Sequence, residues 1–253
     1  MGGEVCRSVD AAADLDLVGG VDPSIEGTSL GEATQTAVDV LAVGSVEQLD
    51  PADVDVVVDF THLEVSRSVL HWCGANGVHA VVGTTGFSDD DLAAFRREFV
   101  ESNALIAPNF AIGAVMMMRM AEMAAPFFET AEVIEFHHNA KRDAPSGTAM
   151  MTAQRIEAAK QASGGSWDTD PTEQEVVAGA RGGKVGGVGV HGVRMHGMVA
   201  HQEVVFGTTG ETLTIRHDSI HRNSFMPGVL LAARAIGDRP GLTLGLDSLL
   251  FDS

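Results

Sequence analysis

A chain of 253 residues is long enough for one large domain or two modest ones with real cores. Its formal net charge of −19 argues against sequence-independent binding to nucleic acid or anionic lipid. No run of 18 apolar residues and no basic-then-apolar leader is found, so neither a membrane span nor a signal segment is expected. Two cysteines, Cys6 and Cys73, make no disulfide framework, and a cytoplasmic location is the expectation. Lysine occurs only at 141, 160 and 184. Such an acidic, lysine-poor composition suits a salt-rich cytoplasm that screens carboxylate repulsion, so stability should fall at low salt. The 29 glycines, with no tyrosine, suit an α/β enzyme with many tight turns.

Residues 2–13 (GGEVCRSVDAAA) predict a helix and residues 14–22 (DLDLVGGVD) a short strand. Asp22 stands where a Rossmann unit places the acidic residue that binds ribose hydroxyls, or else simply starts an Asp-Pro-Ser loop. Residues 23–50 are polar and poorly periodic. Asp53 to Asp59 (DVDVVVD) is an apolar run of the kind found in a buried parallel strand, followed by Phe60-Thr61-His62. A crossover helix over 63–76 and a strand over 78–82 lead to Gly83-Thr84-Thr85-Gly86, and a helix starts at Ser88. Glycine at a strand's C-terminal end permits close approach of a ligand, although small residues are common in such turns. A further strand, 104–107, runs into Pro108-Asn109-Phe110-Ala111-Ile112-Gly113, and residues 115–128 form an apolar helix rich in methionine. Those methionines read as flexible core and interface filler.

Residues 131–138 (AEVIEFHH) alternate as a strand, with Val133, Glu135 and His137 on one face and Ile134, Phe136 and His138 on the other. A short loop carries Lys141, and Pro145-Ser146-Gly147-Thr148 opens a helix that Ser146 or Thr148 can cap. Free amides at a helix start beside an ammonium suit a carboxylate or phosphate. Imidazoles with an ordinary pKa of about 6.5 can move a proton there. Taken singly, each of these residues is also explained as a cap or a packed histidine. No cysteine or carboxylate at zinc-motif spacing accompanies the histidines, and no metal is expected. Residues 161–192 are Gly-rich and loop-like, with Arg181 and Arg194 in and beyond them. Residues 198–206 and 211–217 are alternating strands joined by Gly207-Thr208-Thr209-Gly210, a hairpin that predicts an antiparallel sheet. Met226 to Ile236 is an apolar helix.

The string from Glu135 to Ala149, E-x-H-H-x-x-K-x-D-A-P-S-G-T-A, resembles the signature of the dihydrodipicolinate reductase family, and ordered motifs of that family run from residue 2 to 253. The resemblance implies an α/β fold: a Rossmann-like nucleotide-binding domain over 1–110, an α+β substrate-binding and oligomerisation domain with an antiparallel or mixed sheet over 111–222, and a return to the first domain over 223–253. It implies NADH or NADPH as cofactor and a cyclic dicarboxylate as substrate, reduced at C4 with loss of water from a 4-hydroxy precursor, in lysine and diaminopimelate synthesis. His137 would be proton donor and acceptor and Lys141 the proton donor, with His138, Ser146, Gly147 and Thr148 on the substrate carboxylate. Gly2, Asp22, Gly83, Thr84, Thr85, Ala107, Pro108, Asn109, Phe110, Arg222 and Phe225 would hold the cofactor. A homotetramer assembled through the sheet is expected. Arg194-x-x-Gly197-x-x-x-His201 follows the family with Ala200 in place of a glycine, and His201 reads as structural.

Gly2 aligns with the third glycine of the family's G-x-x-G-x-x-G turn, so a first strand and two glycines are expected upstream of Met1. Two alternatives accompany this reading. One is a related amino-acid dehydrogenase, such as an aspartate dehydrogenase, or an imine reductase. The other is a non-catalytic sensor of nucleotide or dicarboxylate.

Overall fold

The computed structural model describes residues 1–251, so the last two positions of the return segment, Asp252 and Ser253, lie outside the described residues. In chain order the elements are α1 (Gly2–Asp10), α2 (Leu30–Thr34), β1 (Val56–Asp59), α3 (Leu63–Asn76), β2 (His79–Val82), α4 (Asp89–Glu98), β3 (Asn103–Ile106), α5 (Ile112–Ala124), β4 (Thr130–His137) and α6 (Gly147–Ala162). Then follow β5 (Gly183–Val185), β6 (Val188–Arg194), β7 (Ala200–Thr208), β8 (Glu211–Ser219), α7 (Met226–Ala235), β9 (Gly241–Leu244) and α8 (Asp247–Leu250). They divide into two compact units, Met1–Ala111 with Arg222–Ser253, and Ile112–His221.

The first unit carries a parallel sheet of order β1-β2-β3-β9. Its valine-rich strands are of the kind buried beneath crossover helices. Val69, Leu70 and Cys73 of α3 pack with Val78, Ala80, Val82, Phe95, Phe99, Ala104 and Ile106. Helix α3 stops at Gly77, whose φ of 71° favours glycine, and α4 starts with a Ser88–Asp91 capping box. The Cys73 thiol is pushed up to about 12, by burial first and then by the charge of Asp59, so it serves as core. Asn103 fastens β9 by donating to the Ile236 and Gly237 carbonyls and accepting from the Gly241 amide.

The segment predicted as a strand over 14–22 forms no ladder. It contributes one bridge, Val21 to Val43, and is tied down at its start by the Asp14–Arg234 ion pair. Extended backbone becomes a strand only where a neighbour runs alongside, and among the described residues that neighbour is the single bridge.

The second unit is a five-stranded sheet of order β5-β6-β4-β7-β8. Strand β4 pairs antiparallel with β7 but parallel with β6, so the sheet is mixed. Helices α5 and α6 cover one face, against Val133, Val190, Val204 and Phe206. Strand β5 and most of β6 lie inside the stretch expected to be loop. Glycine obscured β6 because its partner strand carries carboxylates that need room. A Cβ at Gly189 would run into Glu132, and one at Gly192 would lie 3.1 Å from Glu135 Oε1. Lys160, buried near the end of α6, donates to the Phe128 carbonyl at 2.6 Å and lies over the Trp167 ring.

Candidate active site

The site in the second unit is built where β4 ends and α6 begins. Alternation along β4 puts Glu135 and His137 on the helix-covered face, and the parallel register places Arg194 of β6 opposite His137. Glu135 is wholly buried. Its carboxylate accepts from Arg194 Nη1 at 2.9 Å and Nη2 at 2.7 Å, from the Ser146 amide at 3.2 Å, and is bonded to His137 Nδ1. Arg194 also donates to the Asp143 carbonyl at 2.7 Å, which fixes the loop between β4 and α6. Burial pushes the Glu135 carboxyl up, but the bonds from Arg194 and His137 outweigh it and leave its pKa below the ordinary value. His137 is also lowered: burial is the larger effect, opposed by Glu135, with the positive charges of Lys141 and Arg194 adding to it.

Ser146 caps α6, accepting from the Ala149 amide at 3.2 Å. Next to it Gly147 is exposed, and a Cβ there would meet nothing within 4 Å. Thr148 is half-buried. Lys141 is held at the loop by both oxygens of Asp143, at 2.8 and 2.9 Å, and that bond is the main reason the Asp143 carboxyl is lowered. His138 is exposed, while His137 faces the covered side of the sheet. The two imidazoles therefore diverge. Among the described residues no three His, Cys, Asp or Glu side chains converge on a metal position.

Of the residues singled out in this unit, His137, Lys141, Ser146, Gly147 and Thr148 fall on one strand end, one loop and one helix start. Glu135 and Arg194 were not singled out as functional. The signal was present for Glu135: a carboxylate two residues before a histidine, on the same strand face as Val133. His201 is buried, with Nε2 accepting from the Val199 amide and Nδ1 bonded to Asp218 at 2.7 Å, a structural arrangement.

In the first unit Gly83, Thr84 and Thr85 follow β2 and Ala107 to Phe110 follow β3, at the C-terminal edge where open α/β sheets bind ligands, while Gly2, Asp22, Arg222 and Phe225 lie on other segments. Gly83 leaves no room for a Cβ against the Phe60 ring, which in turn packs edge-on to Phe110 at 5.5 Å between centroids. Thr84 is buried, accepting from Ser66 and donating to the Thr61 carbonyl, while Thr85 is exposed. Ala107 is buried, Pro108 exposed, and Asn109 accepts from the Ala111 amide. Gly2 opens α1 with no side-chain cap and with open space where a Cβ would be. Asp22 is exposed, and its Oδ1 accepts from the Ser24 amide and hydroxyl, so it does start the Asp-Pro-Ser turn. Arg222 is exposed and Phe225 half-buried, in the short helical turn before α7. An uncapped helix start, an exposed carboxylate and small residues at the strand ends together fit a dinucleotide.

These features fit a nicotinamide-dependent oxidoreductase. The family described as "Dihydrodipicolinate reductase, N-terminus" matches residues 1–110, and "Dihydrodipicolinate reductase, C-terminus" matches residues 113–250. The chain belongs to the dihydrodipicolinate reductase family. It is 52% identical to the 4-hydroxy-tetrahydrodipicolinate reductase of Nocardia farcinica, over 99% of this chain and 94% of that protein. It is 51% identical to the enzyme of the same name from Thermobifida fusca, with the same coverage. Among solved structures, a dipicolinate-bound dihydrodipicolinate reductase from Paenisporosarcina sp. TG-14 superposes with a TM-score of 0.83 at 35% identity, covering 98% of this chain and 94% of that one. An amine dehydrogenase from Mycobacterium smegmatis, at 14% identity and a TM-score of 0.58, shares the fold alone.

Proposed function

We infer that this chain reduces 4-hydroxy-tetrahydrodipicolinate to tetrahydrodipicolinate with NADH or NADPH, in the synthesis of diaminopimelate and lysine. Full-length identity of about one half to reductases of that name carries this reading. Overall, one hydride and one proton enter and one water leaves. Bound NADH or NADPH supplies the hydride for C4.

The remaining work falls to the residues of the second unit. The start of α6, with Ser146, Gly147 and Thr148, binds a substrate carboxylate through backbone donors, helped by His138. Lys141 is both a clamp for negative charge and a proton donor. His137 carries a proton to and from the ring. In the first unit, Gly2 at the start of α1 would cradle the pyrophosphate and Asp22 the ribose hydroxyls. Gly83, Thr84, Thr85, the turn Ala107–Phe110, Arg222 and Phe225 would line the dinucleotide. The free hydroxyls that Asp22 would bind favour NADH.

A cytoplasmic homotetramer accompanies this reading. Its support is the uncovered sheet face, which presents half-buried Ile134, Phe136 and Val205, with Arg216 over the Phe136 ring. No described helix is long and apolar enough to cross a membrane.

The test is oxidation of NADH and of NADPH with the cyclic dicarboxylate, and separately with ammonia plus oxaloacetate. Turnover with the dicarboxylate alone is expected. Turnover with oxaloacetate alone would assign an amino-acid dehydrogenase instead.

A further inference from the structure

The Glu135 carboxylate touches both ends of the candidate site, bonding His137 on one side and the Ser146 amide at the start of α6 on the other. An ionised carboxylate only accepts hydrogen bonds. Arg194 approaches both of its oxygens, so the ring nitrogen that faces it, His137 Nδ1, must bring a proton. We propose that Glu135, braced by Arg194, is a positioning residue for the reduction: it holds His137 with its proton on Nδ1, so that Nε2 is the atom that takes up and returns the reaction's proton.

Arg194 is a necessary part of the device. A carboxyl wholly buried without a cation would tend to keep its proton, and a protonated carboxyl can donate to Nδ1 and invert the imidazole. The two-pronged contact from the guanidinium prevents that. Gly192 belongs to the same arrangement, since a Cβ there would lie 3.1 Å from Glu135 Oε1 and 3.8 Å from Arg194 Nη1. Because Glu135 also accepts from Ser146, the same group that orients the proton carrier sets the start of the helix that would anchor the substrate. A buried Glu–Arg pair kept only for folding would have no need to dictate which ring nitrogen carries hydrogen.

This inference rests on reading His137 as the proton carrier, and the experiment separates the two. In Glu135→Gln an NH2 in place of Oε1 would meet two obligate donors, Arg194 Nη2 and the Ser146 amide, whereas in place of Oε2 it meets only Arg194 Nη1 and His137 Nδ1, which can accept once its proton moves to Nε2, so the second orientation is favoured. The expected result is a kcat at least about 100-fold lower, with dipicolinate affinity within about threefold of wild type. In ¹⁵N-histidine NMR spectra, the His137 signal should move from the Nδ1–H to the Nε2–H pattern. If Glu135→Gln does not fold, the wild-type spectrum decides, with the His137 signal assigned by its loss in His137→Gln. An Nδ1–H tautomer supports the proposal, and an Nε2–H tautomer overturns it. If His137→Gln loses turnover while a folded Glu135→Gln keeps it, the positioning role fails and the proton-carrier reading survives. If His137→Gln keeps wild-type kcat, both fail.

Discussion

Replacing Arg194 with methionine keeps an apolar stem in place and removes the charge. Glu135 would then be a wholly buried carboxylate that has lost two of its four described hydrogen bonds, keeping those to His137 and Ser146. Breaking one side of a buried pair costs about 3–5 kcal/mol, because the charge left behind is uncompensated. For a chain of this size, where 1 kcal/mol moves the melting temperature by roughly 2–4 °C, that is a fall of roughly 6–20 °C at pH 7. The pH dependence has a definite sign. In the wild type the Glu135 pKa is lowered on folding, so its contribution to stability is present above the unfolded value and lost as pH falls through the folded one. In Arg194→Met, burial dominates and raises the folded value. The penalty is then full at neutral pH and relaxes as the carboxyl protonates toward pH 4. Guanidinium unfolding of both proteins at pH 7 and pH 4.5 measures this difference. Glu135→Met/Arg194→Met should recover part of the stability without recovering turnover. A loss below about 1 kcal/mol at pH 7, or one that does not shrink on acidification, would refute the reasoning.

Two further outcomes follow from the first unit and from the overall charge. Gly83→Ala would drive a Cβ into the Phe60 ring and disturb its packing on Phe110. Overpacking of this kind costs about 1–3 kcal/mol, so both the unfolding midpoint and NADH affinity should drop, and an unchanged midpoint and Kd would contradict the assignment. With a net charge of −19, the folded protein should gain stability between about 0.1 and 1 M KCl, as the screening length shrinks from about 10 to 3 Å. A midpoint indifferent to salt would remove the expectation of a salt-adapted surface.

The valine-rich run ending at Asp59, the helix over 63–76 and the helix start at Ser88 were legible in the sequence because local chemistry determines them. The string from Glu135 to Ala149 was legible as one unit as well, since its residues lie within fifteen positions of one another. What escaped depended on distant partners. Gly189 and Gly192 read as loop until Glu132 and Glu135 are found opposite them on β4. Arg194 opened a family-like segment without a role, because its partner lies 59 residues earlier in the chain. Likewise, residues 14–22 have strand-like composition, but a ladder depends on what runs alongside them.

The most direct test of the site as read is a side-by-side determination of kcat and KM for His137→Gln and Lys141→Ala. His137→Gln should lose kcat by about 10²–10⁴, with KM little changed, since it removes proton transfer. Lys141→Ala should lower kcat and also raise KM, since it removes the ammonium proposed to hold the dicarboxylate. If both variants kept the wild-type kcat and KM, the site would have to be sought elsewhere in the chain.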